Sequence, residues 1–445
     1  MRIYFSKIGF ILVVAGSAVG LGNAWKFPTL AAKNGGFSFV LLYLLLTLTL
    51  GLSVFLAEIA MGRLSRKDLA HSFESLAVRG ARYWKFGGIF MISGVFVLSF
   101  YLVIMGWVLK YMFFSLFYLP KDIIQAKADF DMLLSQDLTL SFLCFFVSFI
   151  LTFAVLARGL IKGIEKLNVI IMPSLFLMLL AMLLYCTQFE GFKQAFLHLF
   201  SPNLKVFSFD SLLDALGLAF FTLCLGIGCI VTYAAALPKK VNLLQSSIFV
   251  VCINLFIALM MGLIVFTFIF EFGSDPSVQG AGLVFVSLMS LFNQLGVFGN
   301  FLAFYFFLAL FFAGITSAVS MVEPLIFYLT RTFKISRLKA LMMSALVVFV
   351  LSIACILSFN ASFSAYFKVF ELSFFDFLDK LTSNFLLPLG VFCISIFVGF
   401  FVKISQIYRL FSSFMSRKMF KFWFFVLRFI TPFAIIFISF YNFFV

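Results

Sequence analysis

Apolar residues run through this chain in long, nearly continuous blocks, without the two-residue alternation of a half-buried strand or the one-sided stripe of a surface helix. A helix needs about 20 apolar residues to cross the hydrocarbon of a bilayer, whereas strands of a membrane barrel alternate over segments of about ten. The blocks therefore predict helical spans. Eleven can be placed, centred near Val19, Leu48, Val103, Val147, Phe176, Leu223, Ala258, Ala313, Val348, Val391 and Ile430. The first block begins with positive charge, as a secretory leader does. It runs on through Gly20-Leu21-Gly22-Asn23 to Trp25 without a cleavage signal, so it is expected to remain as a span.

Two blocks are interrupted. The first contains Gly16-Ser17-Ala18-Val19-Gly20-Leu21-Gly22-Asn23, and the sixth contains Thr222-Leu223-Cys224-Leu225-Gly226-Ile227-Gly228. A glycine costs about 1 kcal/mol relative to alanine within a helix, and lipid offers no hydrogen bonds to replace those lost on unwinding. Broken backbone at that depth is tolerated only where it lines a cavity enclosed by protein. Close helix packing through small residues would account for one glycine pair. Two interrupted spans, five apart in the order, are better explained by a binding site between inverted repeats. The expected fold is an all-α polytopic membrane protein with eleven transmembrane helices, a five-plus-five inverted repeat and broken helices 1 and 6. Residues 1–445 form one transmembrane domain, with 8–190 the first repeat, 208–402 the second and 420–444 a peripheral last helix. Five spans per repeat is an odd number, which forces the halves to be inverted.

Composition removes the alternatives. Of 445 residues, 64% are hydrophobic and 11% charged, with a mean hydropathy of +1.18, against about 45–50% and about 25% in a soluble domain. Such a chain cannot clothe a water-facing surface, which excludes a soluble enzyme, a disordered chain and a nucleic-acid reader. The net charge of +15 then reads as topology. With the N-terminus cytoplasmic, most basic residues fall inside: Arg2 and Lys7; Arg63, Arg66, Lys67, Arg79, Arg82 and Lys85; Arg158, Lys162 and Lys166; Lys239 and Lys240; Arg331, Lys334, Arg337 and Lys339; Lys403, Arg409, Arg417, Lys418 and Lys421. Arg428 lies within the last span. The bias follows the positive-inside rule and predicts an inside N-terminus and an outside C-terminus.

Cysteines 144, 186, 224, 229, 252, 355 and 393 all lie in apolar blocks and form no CxxC pair, so they read as small core hydrophobes without disulfide or zinc. His71 and His198 are expected in loops at opposite faces, His71 solvated, and no nucleophile–base pair is visible. The chain is not expected to be an enzyme.

A long pattern runs from Gly16 to Arg63: GSAVGLGNAWKFP, then NGG at 34–36, then EIAMGR at 58–63. FYLVIMGW (100–107), RGLIKGIEKLNVIIMP (158–173), SPN (201–203), FFTLCLGIG (220–228), FFAGITSAVS (311–320) and DKLTSNFLLPLG (379–390) follow in order. Over about residues 6–402 the chain resembles the neurotransmitter:sodium symporter family, in its bacterial amino-acid-transporter branch. That family is known for inverted repeats with broken helices, so this part of the expectation is also inherited from the resemblance. The resemblance implies the bacterial inner membrane and sodium ions as the co-transported species. It leaves the oligomeric state open.

A buried zwitterion needs donors for its carboxylate and acceptors for its ammonium. The backbone from Ala18 through Leu21 to Gly22 offers amides at a half-helix N-terminus, where the dipole favours an anion. By resemblance, Tyr101 adds its hydroxyl, and carbonyls around Phe221, Thr222 and Cys224 receive the ammonium. Amine-carrying relatives place an aspartate where this chain has Gly20, so an amino acid is expected instead of a bare amine. The matching side-chain pocket is Val97, Phe221, Ile227, Ala318 and Met321, with Ser17 nearby. None is charged, and an unpaired buried charge is costly, so a neutral, hydrophobic side chain fits.

The first sodium site maps to Ala18, Asn23, Thr222 and Asn254 with the substrate carboxylate. The second maps to the carbonyls of Gly16, Val19 and Ala313 and the hydroxyls of Thr316 and Ser317. Oxygen ligands of this kind suit a hard cation. Tyr101 and Phe221 form a lid, with Lys26 and Asp379 paired above it. Relatives use arginine there, so this chain loses the bidentate fork. Glu58, an acid within the membrane, is a functional candidate by itself and reads as an acceptor for amides freed by the broken helices.

Three departures stand out. Positions that serve chloride or its substitute in relatives are Leu218 and Ala258 here, so no chloride is expected, although Tyr43, Thr222 and Asn254 remain. The cytoplasmic gate of relatives pairs an N-terminal arginine and tryptophan with an aspartate. Here those positions offer Arg2 and Tyr4 and then Arg331, so that gate is built differently. The span number is eleven, not twelve. The reading is a sodium-coupled symporter for a neutral, hydrophobic amino acid, working by alternating access. The alternative is a transporter-like amino-acid sensor or gated channel without coupled flux.

Overall fold

The computed structural model describes residues 4–78, 82–202, 208–238, 241–272 and 283–444. Arg2, Arg79, Asn203, Lys239 and Lys240 of the sequence reading lie outside them. Among the described residues, nine helices are long and apolar enough to cross a bilayer: Phe37–Ser65, Arg82–Phe114, Leu138–Ala157, Leu160–Cys186, Leu243–Glu271, Val297–Thr332, Arg337–Leu357, Phe374–Phe401 and Arg417–Phe437. The helices Lys7–Ala18 and Gly22–Lys33 meet at 52° and make one further bent crossing. Phe209–Thr222 and Cys229–Ala235 are the two pieces of another. In chain order these are the eleven spans, with the first and sixth broken. The face at which the first span starts is called the N-terminal face below, and the opposite one the far face.

Each break has a local cause. Ser6 caps the first helix by accepting from the Gly9 amide. The helix stops at Ala18, Val19 is extended, and the chain re-enters helix through a wide turn at Gly22–Lys26, with Pro28 at the start of the following regular helix. In the sixth span, Cys224, Gly226 and Gly228 all take positive φ, of 51°, 87° and 81°. Left-handed backbone of this kind is tolerated by glycine and strained for other residues. Gly226 has a second reason. A Cβ there would lie 2.7 Å from the Leu387 carbonyl oxygen, and one on Gly390 would lie 2.5 Å from the Gly226 carbonyl oxygen. The broken sixth span and the tenth thus touch backbone to backbone.

Burial repeats with an offset of five. The third and eighth spans each bury 78% of their apolar windows, and the fourth and ninth each bury 39%. The third and eighth pack on each other at the centre, while the first half-helix lies against the fifth, seventh and eighth spans. The fourth, fifth and ninth expose Ile150, Leu177, Leu184, Met342 and Leu346 on the periphery, as lipid-facing helices do.

Three expectations need correction. His71 lies in the helix Leu69–Leu76, not a loop, and its Nδ1 is 2.8 Å from Asp68 Oδ2, so it is partly buried and paired. His198 lies in the helix Glu190–Phe200, packed against the rings of Phe266 and Phe270. Both connecting segments fold as short amphipathic helices because each must cover the ends of neighbouring spans. Among the cysteines, Cys252 is exposed, and Cys144 and Cys393 are half-buried. An apolar block in a membrane span has a lipid side as well as a core side, so not every cysteine in it is a core residue.

Candidate substrate and cation site at the two broken spans

Gly20 lies at the centre of the first break. A Cβ on it would be 2.7 Å from Ser317 Oγ and 2.8 Å from the Tyr101 hydroxyl. The adjacent Leu21 amide donates to that Tyr101 hydroxyl at 3.1 Å. A Cβ on Gly22 would be 2.9 Å from the Phe221 ring. The structure therefore brings Gly20, Leu21, Gly22, Tyr101, Phe221 and Ser317 together. Val97 lies one turn before Tyr101 on the same helical face, and Met321 one turn after Ser317. Val97, Ile227, Ala318 and Met321 are all buried. Cys224 Sγ donates to the Ser17 carbonyl at 2.8 Å, tying the two breaks directly.

A cavity of about 510 Å³ lies among the first, third, sixth and tenth spans, lined by Trp25, Lys26, Phe100, Trp107, Phe221 and Asp379 among others. It sits on the far-face side of Phe221. Val97, Ile227, Ala318 and Met321 do not line it.

The first set of polar candidates forms a chain of contacts. Asn23 Nδ2 donates to Asn254 Oδ1 at 2.8 Å; Asn254 Nδ2 lies 3.3 Å from the Tyr43 hydroxyl and 3.4 Å from Thr222 Oγ1. Tyr43 and Thr222 are 3.1 Å apart. Asn23 Oδ1 is buried and without a partner. Such an oxygen carries a desolvation penalty, which a hard cation bound there would relieve. Ala18, the last residue of the half-helix, is also buried.

The second set converges on one hydroxyl. Ser317 Oγ is 3.0 Å from the Gly16 carbonyl, 3.0 Å from that of Val19 and 3.3 Å from that of Ser17. A hydroxyl has one proton to donate, so the carbonyls outnumber the donor. The surplus of neutral oxygens suits a small cation. Thr316 Oγ1 bonds within its own helix, to Phe312 and Ala313 carbonyls at 3.1 and 3.0 Å, a common habit of threonine in membrane helices. Sequence reasoning missed Asn168 here. Its Oδ1 is buried, lacks a partner and presses on Gly16. The available signal was an amide side chain just past the charged start of the fifth span, where the apolar run begins.

Glu58 is fully buried, and its Oε1 accepts from the Gly226 amide at 2.8 Å. A neighbouring span thus supplies the acceptor that the broken helix cannot. On the far face, Lys26 Nζ is 2.8 Å from Asp379 Oδ1 and 4.1 Å above the centre of the Phe221 ring. Ser383 Oγ braces the pair by donating to the same Asp379 oxygen at 3.0 Å.

The N-terminal face is fastened otherwise. Arg66 donates to the Ala235 carbonyl at 2.9 Å and lies over the Tyr4 ring at 5.4 Å. Arg63 reaches the Leu237 carbonyl at 2.7 Å, and Arg331 reaches the Arg66 carbonyl at 3.1 Å. Ser6 gives both its amide and its hydroxyl to Glu165 Oε1, at 2.9 and 2.6 Å. Buried Glu323 takes a two-pronged contact from Arg337, at 2.8 and 2.6 Å. Arg331, at the position where relatives carry aspartate, serves as a donor to backbone.

Residues 2–128 and 120–445 match the profile of the Sodium:neurotransmitter symporter family. The chain belongs to that family. It is 36% identical over 437 residues to YhdH, a sodium-dependent transporter of Bacillus subtilis, covering 97% of this chain and 95% of that one. A sodium-dependent transporter of Haemophilus influenzae is 30% identical over 455 residues, covering 98% and 97%. Among solved structures, MhsT in complex with L-phenylalanine superposes with a TM-score of 0.89 at 34% identity, over 98% of each chain. This symporter-family member is a multi-pass, sodium-dependent membrane transporter and not an enzyme.

Proposed function

We propose that this transporter is a sodium-coupled symporter that imports a neutral, hydrophobic amino acid by alternating access. The observation that carries the reading is the position of Gly20, pinned between the Tyr101 hydroxyl that caps the Leu21 amide and the Ser317 hydroxyl that gathers three carbonyls. A carboxylate taken up by that amide and a cation taken up by those carbonyls share one residue, so each steadies the other. The solved relative MhsT holds L-phenylalanine, and a mouse relative, 28% identical over 298 residues, is named a sodium-dependent neutral amino acid transporter; both support the substrate class.

In this reading, Asn23, Thr222 and Asn254, with Ala18 and the substrate, hold one sodium ion. Gly16, Val19, Ala313, Thr316 and Ser317 hold a second. Leu218 and Ala258 are buried and carry no charge, so transport runs without chloride. The pocket of Val97, Phe221, Ile227, Ala318 and Met321 opens for the side chain when Phe221 swings toward the cavity beside it. Residues 8–190 and 208–402 act as the two repeats. The N-terminal face is the cytoplasmic one, in a bacterial inner membrane, because Arg63, Arg66, Arg158, Arg331 and Arg337 gather there. Each charge crossing 100 mV supplies about 2.3 kcal/mol for accumulation.

The test is uptake of a labelled amino-acid panel into proteoliposomes, with and without an inward sodium gradient. Gradient-driven accumulation of an apolar amino acid is expected, with about ten-fold weaker sodium dependence in Asn23→Ala and in Thr316→Ala, the loss of one charge-assisted ligand. Saturable binding without accumulation would favour the sensor reading. Unchanged sodium dependence in both variants would overturn the ion sites.

A further inference from the structure

The C-terminal spans carry charge that transport leaves unused. None of residues 380–445 is acidic, whereas Lys380, Lys403, Arg409, Arg417, Lys418, Lys421 and Arg428 are basic. From Lys403 to Lys421 these cations are exposed around the helix Ile404–Phe411 and the start of the eleventh span. Arg428 differs from them. It is half-buried inside an apolar helix, and its guanidinium lies 4.3 Å from the centre of the Phe400 ring and 5.4 Å from that of Phe429. Its Nε is buried with no hydrogen-bond partner, and no carboxylate pairs with it among the described residues.

Sequence places Arg428 within the membrane, but packing places it near a boundary. A Cβ on Gly399 would meet Arg428 Cα, Cβ and Cγ at 3.2–3.3 Å. Gly399 and Phe400 form the last turn of the tenth span, which ends at Phe401. There the Phe401 carbonyl accepts from the Val78 amide at 2.9 Å, and the Phe401 ring packs on Trp84 at 4.8 Å. Val78 follows the short helix after the second span and Trp84 lies in the first turn of the third, both at the N-terminal face. A long arginine side chain at this level can carry its charge to the interface while its stem stays among apolar groups.

An unpaired guanidinium beside hydrocarbon calls for an anion, and its planar fork matches phosphate oxygens. We propose that Arg428 binds the phosphate of an anionic phospholipid in the leaflet of the N-terminal face, the cytoplasmic leaflet in the orientation proposed above. The exposed cations from Lys403 to Lys421 concentrate such lipids at that surface. The exposed rings of Phe400, Phe425 and Phe429 give the acyl chains an apolar wall. This site does not depend on which substrate is carried or on sodium coupling.

The full-length protein in detergent, titrated with phosphatidylglycerol and read by native mass spectrometry, tests the assignment. R428Q is expected to bind this lipid about ten-fold more weakly, the loss of one paired contact, and R428K to fall between R428Q and the parent. K421Q, which removes an exposed cation, should change affinity by less than about two-fold because solvent screens it. Millimolar inorganic phosphate should not displace the lipid, and phosphatidylcholine should bind no better to the parent than to R428Q. Equal losses in R428Q and K421Q would replace the site with a diffuse cationic surface. Full displacement by inorganic phosphate, or undiminished binding in a monodisperse R428Q, would also overturn it.

Discussion

The two faces of the bundle are held by different chemistry. On the far face part-exposed ion pairs hold the surface: Lys26–Asp379 joins the first and tenth spans and rests on the Phe221 ring, and Lys33–Asp214 joins the first and sixth. On the N-terminal face, Arg63, Arg66 and Arg331 give their donors to the carbonyls of Leu237, Ala235 and Arg66. An ion pair with side chains 21% and 33% exposed is screened by salt and is worth little, about 1 kcal/mol or less. A guanidinium on a partly buried carbonyl is worth about 1.5–3 kcal/mol. Both far-face pairs are part-exposed, so that face opens against a weaker clasp than the N-terminal face.

Breaking the stronger clasp gives the largest expected effect. Arg66→Ala removes the contacts to the Ala235 carbonyl and to Tyr4, and should favour opening of the N-terminal face by about ten-fold or more. Faster amide hydrogen exchange in Lys7–Ala18 would show it, together with a loss of sodium-driven uptake; unchanged exchange would make this network incidental. Asp379→Asn should speed release of a bound labelled amino acid by about three- to five-fold, and high salt should do much the same to the parent. Lys26→Arg restores a two-pronged partner for Asp379 and should slow that release by about two-fold. Last comes a null result: replacing chloride with gluconate should leave uptake unchanged. A steep fall would mean that Tyr43, Thr222 and Asn254 hold an anion after all.

The contrast between the faces also marks what the sequence could disclose. Lys26 and Asp379 are identifiable because an ion pair is written in two side-chain identities. The breaks are legible because glycine at mid-membrane has few other uses, and Glu58 because a buried carboxylate needs donors, here the Gly226 amide. The Arg66 network is not legible, since its acceptors are main-chain carbonyls whose positions depend on where the sixth span ends. Asn168 was passed over because its importance lies in facing Gly16 across a helix crossing. The helices around His71 and His198 were read as loops because short amphipathic helices between spans carry little apolar signal; Asp68, which caps the first of them by accepting from the His71 amide, was the clue.

The Ser317 hydroxyl has one further consequence. With three carbonyls in reach and one proton, it stitches the first span to the eighth by a bond that can settle on only one partner at a time. In the proposed reading, an ion entering that cluster takes the Gly16 and Val19 carbonyls and obliges the hydroxyl to turn its proton away and present a lone pair. The same oxygen then acts as a hasp before loading and as a socket after it. Binding at this joint is weakened by the hydrogen bond given up, about 1 kcal/mol, and the helices stay fastened throughout the exchange.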